Sequence, residues 1–261
     1  MRNSILVAAV IALGIYPLAA QQKKILVVDR GPEAVAELQA VAPSAEIIGV
    51  KRDDVMNQIA DADAIIGTIN PELVRAGKKL KWVQTASAGV EHYLHLAASP
   101  ELRDSDIVLT NAKIIQGPEI ADHAFALLLT LTRGIYRFLP DTRNGTWRRD
   151  TSGLIELRGK TALVIGVGGI GTQICVRAKA FGMHVIGVDP KDIPMAPFLD
   201  EVVKPDRLDA MLPRADVVFI SAPHTPWSNK MVGPHQFDLM KRGSYFIAVS
   251  RGKIYDMPAL V

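Results

Sequence analysis

Cysteine is nearly absent from this sequence. Its one cysteine, Cys175, falls within an apolar helical pattern and reads as a core residue. A lone cysteine excludes a disulfide framework and a cysteine-ligated metal site, and no metal is expected. Charge of one sign is also scarce. A formal net charge of +3 over 261 residues, with no arginine-rich run and no basic stripe interleaved with aromatics, argues against a nucleic-acid partner. An apolar run of membrane-spanning length is lacking too. The candidate, residues 5–20, has about sixteen residues where a span needs about twenty. It follows Arg2 and Asn3, carries Pro17 near its end and closes on Ala19 and Ala20, the layout of a secretory signal. The expectation is a cleaved signal over residues 1–20, export to a periplasm or medium, and no membrane contact after cleavage. An uncleaved anchor and a misassigned start, the latter with cytoplasmic residence, are the alternatives.

What is present is apolar content: 49% hydrophobic against 22% charged residues, enough to bury a core in one large or two modest domains. The organising stretch is residues 157–190. Residues 162–165 are apolar without alternation, the pattern of a parallel strand buried on both faces. They run into Gly166-Val167-Gly168-Gly169-Ile170-Gly171, then a helix with Ile170, Ile174, Ala178 and Phe181 on one face. A second apolar strand, 184–188, ends at Asp189. In such a GxGxxG turn the first glycine makes the tight bend, the second admits a pyrophosphate to the backbone, and the third lets helix and strand pack closely. The helix start offers free N–H groups and a positive dipole end. Asp189 is where an acid accepts the adenosine ribose hydroxyls. Its carboxylate disfavours a 2′-phosphate, so NAD is expected over NADP, with Lys191 the one feature pulling the other way.

Before this unit, strands are expected at 24–29, 46–50, 64–68, 81–85 and 107–110, with helices at 33–40, 55–60 and 71–76. That alternation implies a second parallel α/β unit. The turn Ser87-Ala88-Gly89-Val90 precedes a helix carrying Glu91 and His92. It reads as an ordinary strand-to-helix turn, or as small residues that leave N–H groups open to an anion. Residues 120–138 form the longest helical pattern, opened by Pro118 and Glu119 and apolar over most of its circumference, as in a helix buried between domains or subunits. His123 on it is expected to be a packing residue, and residues 140–152 a loop. After Pro190, strands are expected at 201–203, 216–222 and 244–249 and helices at 208–212 and 236–240. Ligands of open parallel sheets sit outside the carboxyl ends of strands, which puts residues 223–225 and 249–251 beside a bound nicotinamide.

Four stretches in this order, 81–94, 110–133, 159–190 and 216–260, resemble the D-isomer-specific 2-hydroxyacid dehydrogenase family. The resemblance implies two parallel-sheet α/β domains: a flavodoxin-like substrate domain at 24–115 and a Rossmann NAD-binding domain at 116–261, the latter incomplete at its C-terminal end. It implies that Ser87, Ala88, Gly89 and Val90 hold a substrate carboxylate through backbone N–H groups, in favour of the anion reading of that turn. Gly169 and Ile170 would meet the pyrophosphate, with Gly166, Gly168 and Gly171 shaping the turn. Asp189 would hold the ribose, and Pro223, Thr225, Val249 and Ser250 would line the nicotinamide side. Arg251 matches the family's substrate arginine. The implied activity is NAD-dependent interconversion of a small 2-hydroxy acid and its 2-keto acid, in a homodimer. The family's proton donor is a histidine paired with a glutamate, both downstream of the arginine and neither present in these 261 residues. Asp256 is expected to cap a helix that the last residue interrupts. His224 is the best-placed alternative histidine, although the resemblance assigns its position to the cofactor loop. A non-catalytic dinucleotide-binding protein and an inactive fragment are the competing readings.

Overall fold

The computed structural model describes residues 22–96 and 100–261, so the signal expected over 1–20 lies outside the described residues. The chain forms two five-stranded sheets in which every pairing is parallel. The first contains β1 (Lys23–Val28), β2 (Ala45–Val50), β3 (Ala64–Ile66), β4 (Trp82–Gln84) and β5 (Val108–Thr110) in the order β2-β1-β3-β4-β5. This is the flavodoxin-like order. The second contains β6 (Thr161–Ile165), β7 (His184–Val188), β8 (Glu201–Val203), β9 (Val217–Ile220) and β10 (Tyr245–Ala248) in the order β10-β9-β6-β7-β8. Counted from β6 it is the Rossmann order, reversing between β6 and β9.

The continuous apolar runs have a direct cause in this architecture. Ala162, Val164, Val185, Val217 and Phe219 point into one core. Their neighbours Leu163, Ile165, Ile186, Val218 and Ile220 point into another on the opposite face. Each strand is therefore buried on both sides, and no polar alternation remains. The first sheet packs Leu26, Val28, Ile65 and Val83 into a separate core. The helix Gly117–Thr132 sends Ala121, Ala124, Phe125 and Leu128 into the second sheet's core, beside the glycine-turn helix Gly169–Ala180.

Several elements differ from expectation. The long helix over 120–138 is two: Gly117–Thr132 and Ile135–Arg143, separated at Gly134, whose φ of +65° is left-handed. A side chain there would also meet Leu154. Pro140 lies inside the second helix rather than opening a loop. The helix expected at 55–60 is two short 3-10 segments, Arg52–Asn57 and Ile59–Asp61. His123 is exposed, not packed. Phe181 follows the helix end and is exposed, stacking on Phe125 at 5.2 Å. Asp256 sits at the start of Met257–Leu260, but its carboxylate accepts from Lys230 instead of capping. Among the described residues no helix is long and apolar enough to cross a membrane.

Candidate active site

β6 delivers the chain to Gly166, whose φ of +90° an L side chain rarely adopts. Its N–H donates to the carbonyl of Val188 at 2.8 Å, and its own carbonyl accepts from Ser221 Oγ at 2.6 Å. The turn is thus pinned between the ends of β7 and β9, where the strand order reverses. A Cβ on Gly166 would fall 2.6 Å from the backbone of Ala222, and one on Gly169 would fall 2.8 Å from Cα of Ile114. Ile114 itself has a φ of +83°, a rare state for a β-branched residue, in the segment that crosses from the first sheet to the second. Gly168 differs from these glycines. It is exposed, a Cβ there would meet nothing within 4 Å, and it lines a cavity of about 560 Å3.

Asp189 stands at the end of β7 on the wall of the same cavity, 9% exposed. Its Oδ2 accepts from the Val167 N–H at 2.8 Å and its Oδ1 from the Lys191 N–H at 2.9 Å. A carboxylate has about four acceptor positions, so these two bonds fix its orientation and leave capacity for ligand hydroxyls. Lys113 and Lys191 line the cavity as well. Pro223 and Thr225 line the same cavity, with the Thr225 N–H already donating to Ser228 Oγ at 2.8 Å.

Ser221, Ala222 and Pro223 also line a second cavity, of about 200 Å3. Here the two halves of the chain meet: Ser87, Ala88 and Gly89 from the first, Ile170, Val249, Ser250 and Arg251 from the second. The carbonyl of Ser87 accepts from the Ala112 N–H and that of Ala88 from Asn111 Nδ2 at 2.8 Å, which holds the turn in shape. Among the described residues the N–H groups of Ala88, Gly89 and Val90 have no acceptor. Val90's side chain leaves the cavity and packs in the first core. The Ser250 hydroxyl is buried without a partner among the described residues. Free N–H groups, a guanidinium against the same turn and an unsatisfied hydroxyl on the next residue suit a small carboxylate next to a polar ring substituent. The larger cavity, with its open Gly168, its helix N-terminus and its acid, fits a dinucleotide.

Gly171 lines neither cavity and serves packing. His224 also lines neither; it is 4% exposed with Nε2 3.0 Å from Asn229 Oδ1. Cys175, on the Gly169–Ala180 helix, is fully buried in the second sheet's core, and burial pushes its thiol up to about 12. Sequence reasoning missed the most pointed feature. Glu91, 5% exposed, forms an ion pair with Arg251 Nε from 160 residues away. Its position beside the 87–90 turn was legible, but its partner was not.

Residues 125–261 match the profile described as D-isomer specific 2-hydroxyacid dehydrogenase, NAD binding domain. The D-3-phosphoglycerate dehydrogenase of Methanocaldococcus jannaschii is 32% identical over 245 residues, covering 91% of this chain and 45% of that protein. The chain thus spans less than half the length of that relative. A D-isomer specific 2-hydroxyacid dehydrogenase family protein from Aeromonas salmonicida superposes with a TM-score of 0.78 at 27% identity, covering 92% of this chain and 76% of that one. A D-lactate dehydrogenase from Aquifex aeolicus, solved with NAD and lactic acid, gives 0.72 at 27% identity, covering 90% and 72%.

Proposed function

Since the chain belongs to the D-isomer-specific 2-hydroxyacid dehydrogenase family, we propose that it is an NAD-dependent oxidoreductase acting on a small D-2-hydroxy acid and its 2-keto acid. The observation that carries this reading is that the two cavities share Ser221, Ala222 and Pro223 as a common wall. A bound dinucleotide supplies the hydride. The chain's own residues do the rest of the positioning. The 87–90 turn and Arg251 grip a carboxylate from two sides, a planar guanidinium matching its two oxygens. Asp189 accepts from the ribose and opposes a 2′-phosphate, which favours NAD over NADP. Pro223, Thr225, Val249 and Ser250 bound the nicotinamide side.

The substrate half is residues 24–115 and the dinucleotide half begins at 116, a division supported by the packing of Gly117–Thr132 in the second core. Exposed apolar pairs on that helix and its successor support a homodimer. Export rests on the signal layout of residues 5–20, and N-terminal mass analysis of protein from its host tests it. For the activity the test is a pair of titrations. NADH should bind to the protein, and glyoxylate, pyruvate or hydroxypyruvate should then bind to the NADH complex, roughly ten- to a hundredfold more weakly in Arg251→Ala. Carboxylate binding that Arg251→Ala leaves unchanged would move the substrate site elsewhere.

A further inference from the structure

Glu91 has no role in the reading above, and its burial needs one. A carboxylate 5% exposed is costly unless a partner offsets its lost hydration. The partner is Arg251, whose Nε–H donates to Glu91 Oε1. The Arg251 side chain is 46% exposed, and both residues line the smaller cavity, the arginine openly and the glutamate with little of its surface free. Gly89 completes the arrangement. A Cβ on it would fall 2.3 Å from Arg251 Nη2 and 2.5 Å from Glu91 Oε2, so backbone turn, carboxylate and guanidinium converge on one glycine.

A guanidinium has two edges that suit a carboxylate: Nε with Nη2, and Nη1 with Nη2. Glu91 takes Nε, which spoils the first edge for any other ligand. Among the described residues the end-on edge makes one polar contact, 3.5 Å from Nη1 to the Ser250 carbonyl, and its Nη2 lies against the backbone of Gly89 in the 87–90 turn. We propose that Glu91 is the positioning residue for Arg251: it fixes the guanidinium so that its Nη1/Nη2 edge and the N–H groups of Ala88 to Val90 grip the same carboxylate. The inference rests on the proposed substrate site, and it adds a residue that acts through another. Because Glu91 comes from the first half of the chain and Arg251 from the second, the pair also sets the register of the two halves at the cavity.

The test is calorimetric titration of oxamate, a non-reducible pyruvate isostere, into the complex with NADH, for the wild type, Glu91→Gln, Glu91→Asp, Arg251→Ala and the double variant Glu91→Gln/Arg251→Ala. Glu91→Gln keeps the shape and removes the charge. It should weaken oxamate by about tenfold, as expected for loss of a charge-assisted hydrogen bond, and leave NADH affinity within about twofold. Glu91→Asp, which restores the charge at shorter reach, should recover part of the loss and covers the case in which Glu91→Gln does not fold. In the Arg251→Ala background Glu91→Gln should cost nothing further, the signature of action through a shared partner. Equal losses in both backgrounds, or unchanged oxamate affinity in Glu91→Gln, would overturn the positioning role and leave the substrate site standing. A wild-type complex that binds NADH but no oxamate would overturn both.

Discussion

Gly171 lies so close to Gly166 that a side-chain carbon on it would fall 1.9 Å from the Gly166 carbonyl oxygen. Neither atom has room to yield, because the carbonyl also accepts from Ser221 and the helix start is packed on β6. Gly171→Ala should therefore destabilise the fold by more than about 3 kcal/mol, the range of the severe backbone and packing clashes. Gly168→Ala is its counterpart. With no atom within 4 Å of the added carbon, thermal unfolding should be unchanged while NADH affinity drops, since the methyl projects where the pyrophosphate approaches. Matching losses of stability in the two variants would contradict this division of roles.

The bond from the Val167 N–H to Asp189 makes the second prediction. Asp189→Ala should weaken NAD binding by about tenfold, the usual scale for losing a charged acceptor, and narrow the preference over NADP. Fluorescence titration of both cofactors measures it. Equal NAD affinity in wild type and variant would show that the ribose is held elsewhere.

Cys175 gives a chemical check on the core. Only the thiolate reacts, and burial raises its pKa from 9.0 to about 12. At pH 8 its alkylation in the native protein should be slower than in denatured protein by at least roughly a thousandfold, from thiolate fraction alone. Rapid labelling of native protein would mean that the Gly169–Ala180 helix opens readily.

Asp200 supplies the acid-sensitive joint of the second sheet. Lys179 at 2.6 Å and the Val185 N–H at 2.8 Å hold its carboxyl below the usual value of 3.8. The sign follows from linkage: a depressed folded pKa contributes stability above the unfolded value, and that contribution is lost as pH falls through the folded one. Asp200→Asn should cost about 1 kcal/mol near neutrality, and the difference should shrink as pH falls below about 4. A gap between the two proteins that persists at pH 2 would assign the effect to shape instead of charge.

The parts of the molecule that were legible in its sequence are those whose cause is local. Apolar runs such as 162–165 announce strands buried on both faces, and the glycines of 166–171 announce a turn because each spacing has a steric meaning. What escaped depended on distant partners. Gly134 interrupts an unbroken helical pattern, in a place where Leu154 crowds it. Nothing in residues 120–138 signals that neighbour. The pairing of Glu91 with Arg251 is of the same kind, since it exists only after two separately folded sheets have met.

The apolar surface of the broken helix yields the last prediction. Leu127, Leu131, Ile135 and Leu139 recur every four residues and are 40%, 43%, 45% and 49% exposed. Leu127 and Leu131 lie one turn apart on Gly117–Thr132, and Ile135 and Leu139 one turn apart on Ile135–Arg143, so each helix carries an exposed apolar pair. The opposite face of Gly117–Thr132 is already spent on the second core, so these pairs are surplus to folding of the chain. Exposed apolar surface of this kind marks an association site, and a symmetric copy offers a self-complementary partner. Leu131→Glu/Ile135→Glu would place two like charges at the centre of such an interface, where burial without partners is prohibitive. Sedimentation velocity should show a wild-type dimer and a monomeric double variant, while NADH affinity stays the same because these pairs do not touch the glycine-turn cavity. A wild type that sediments as a monomer, or a double variant that remains dimeric, would remove this face as the interface.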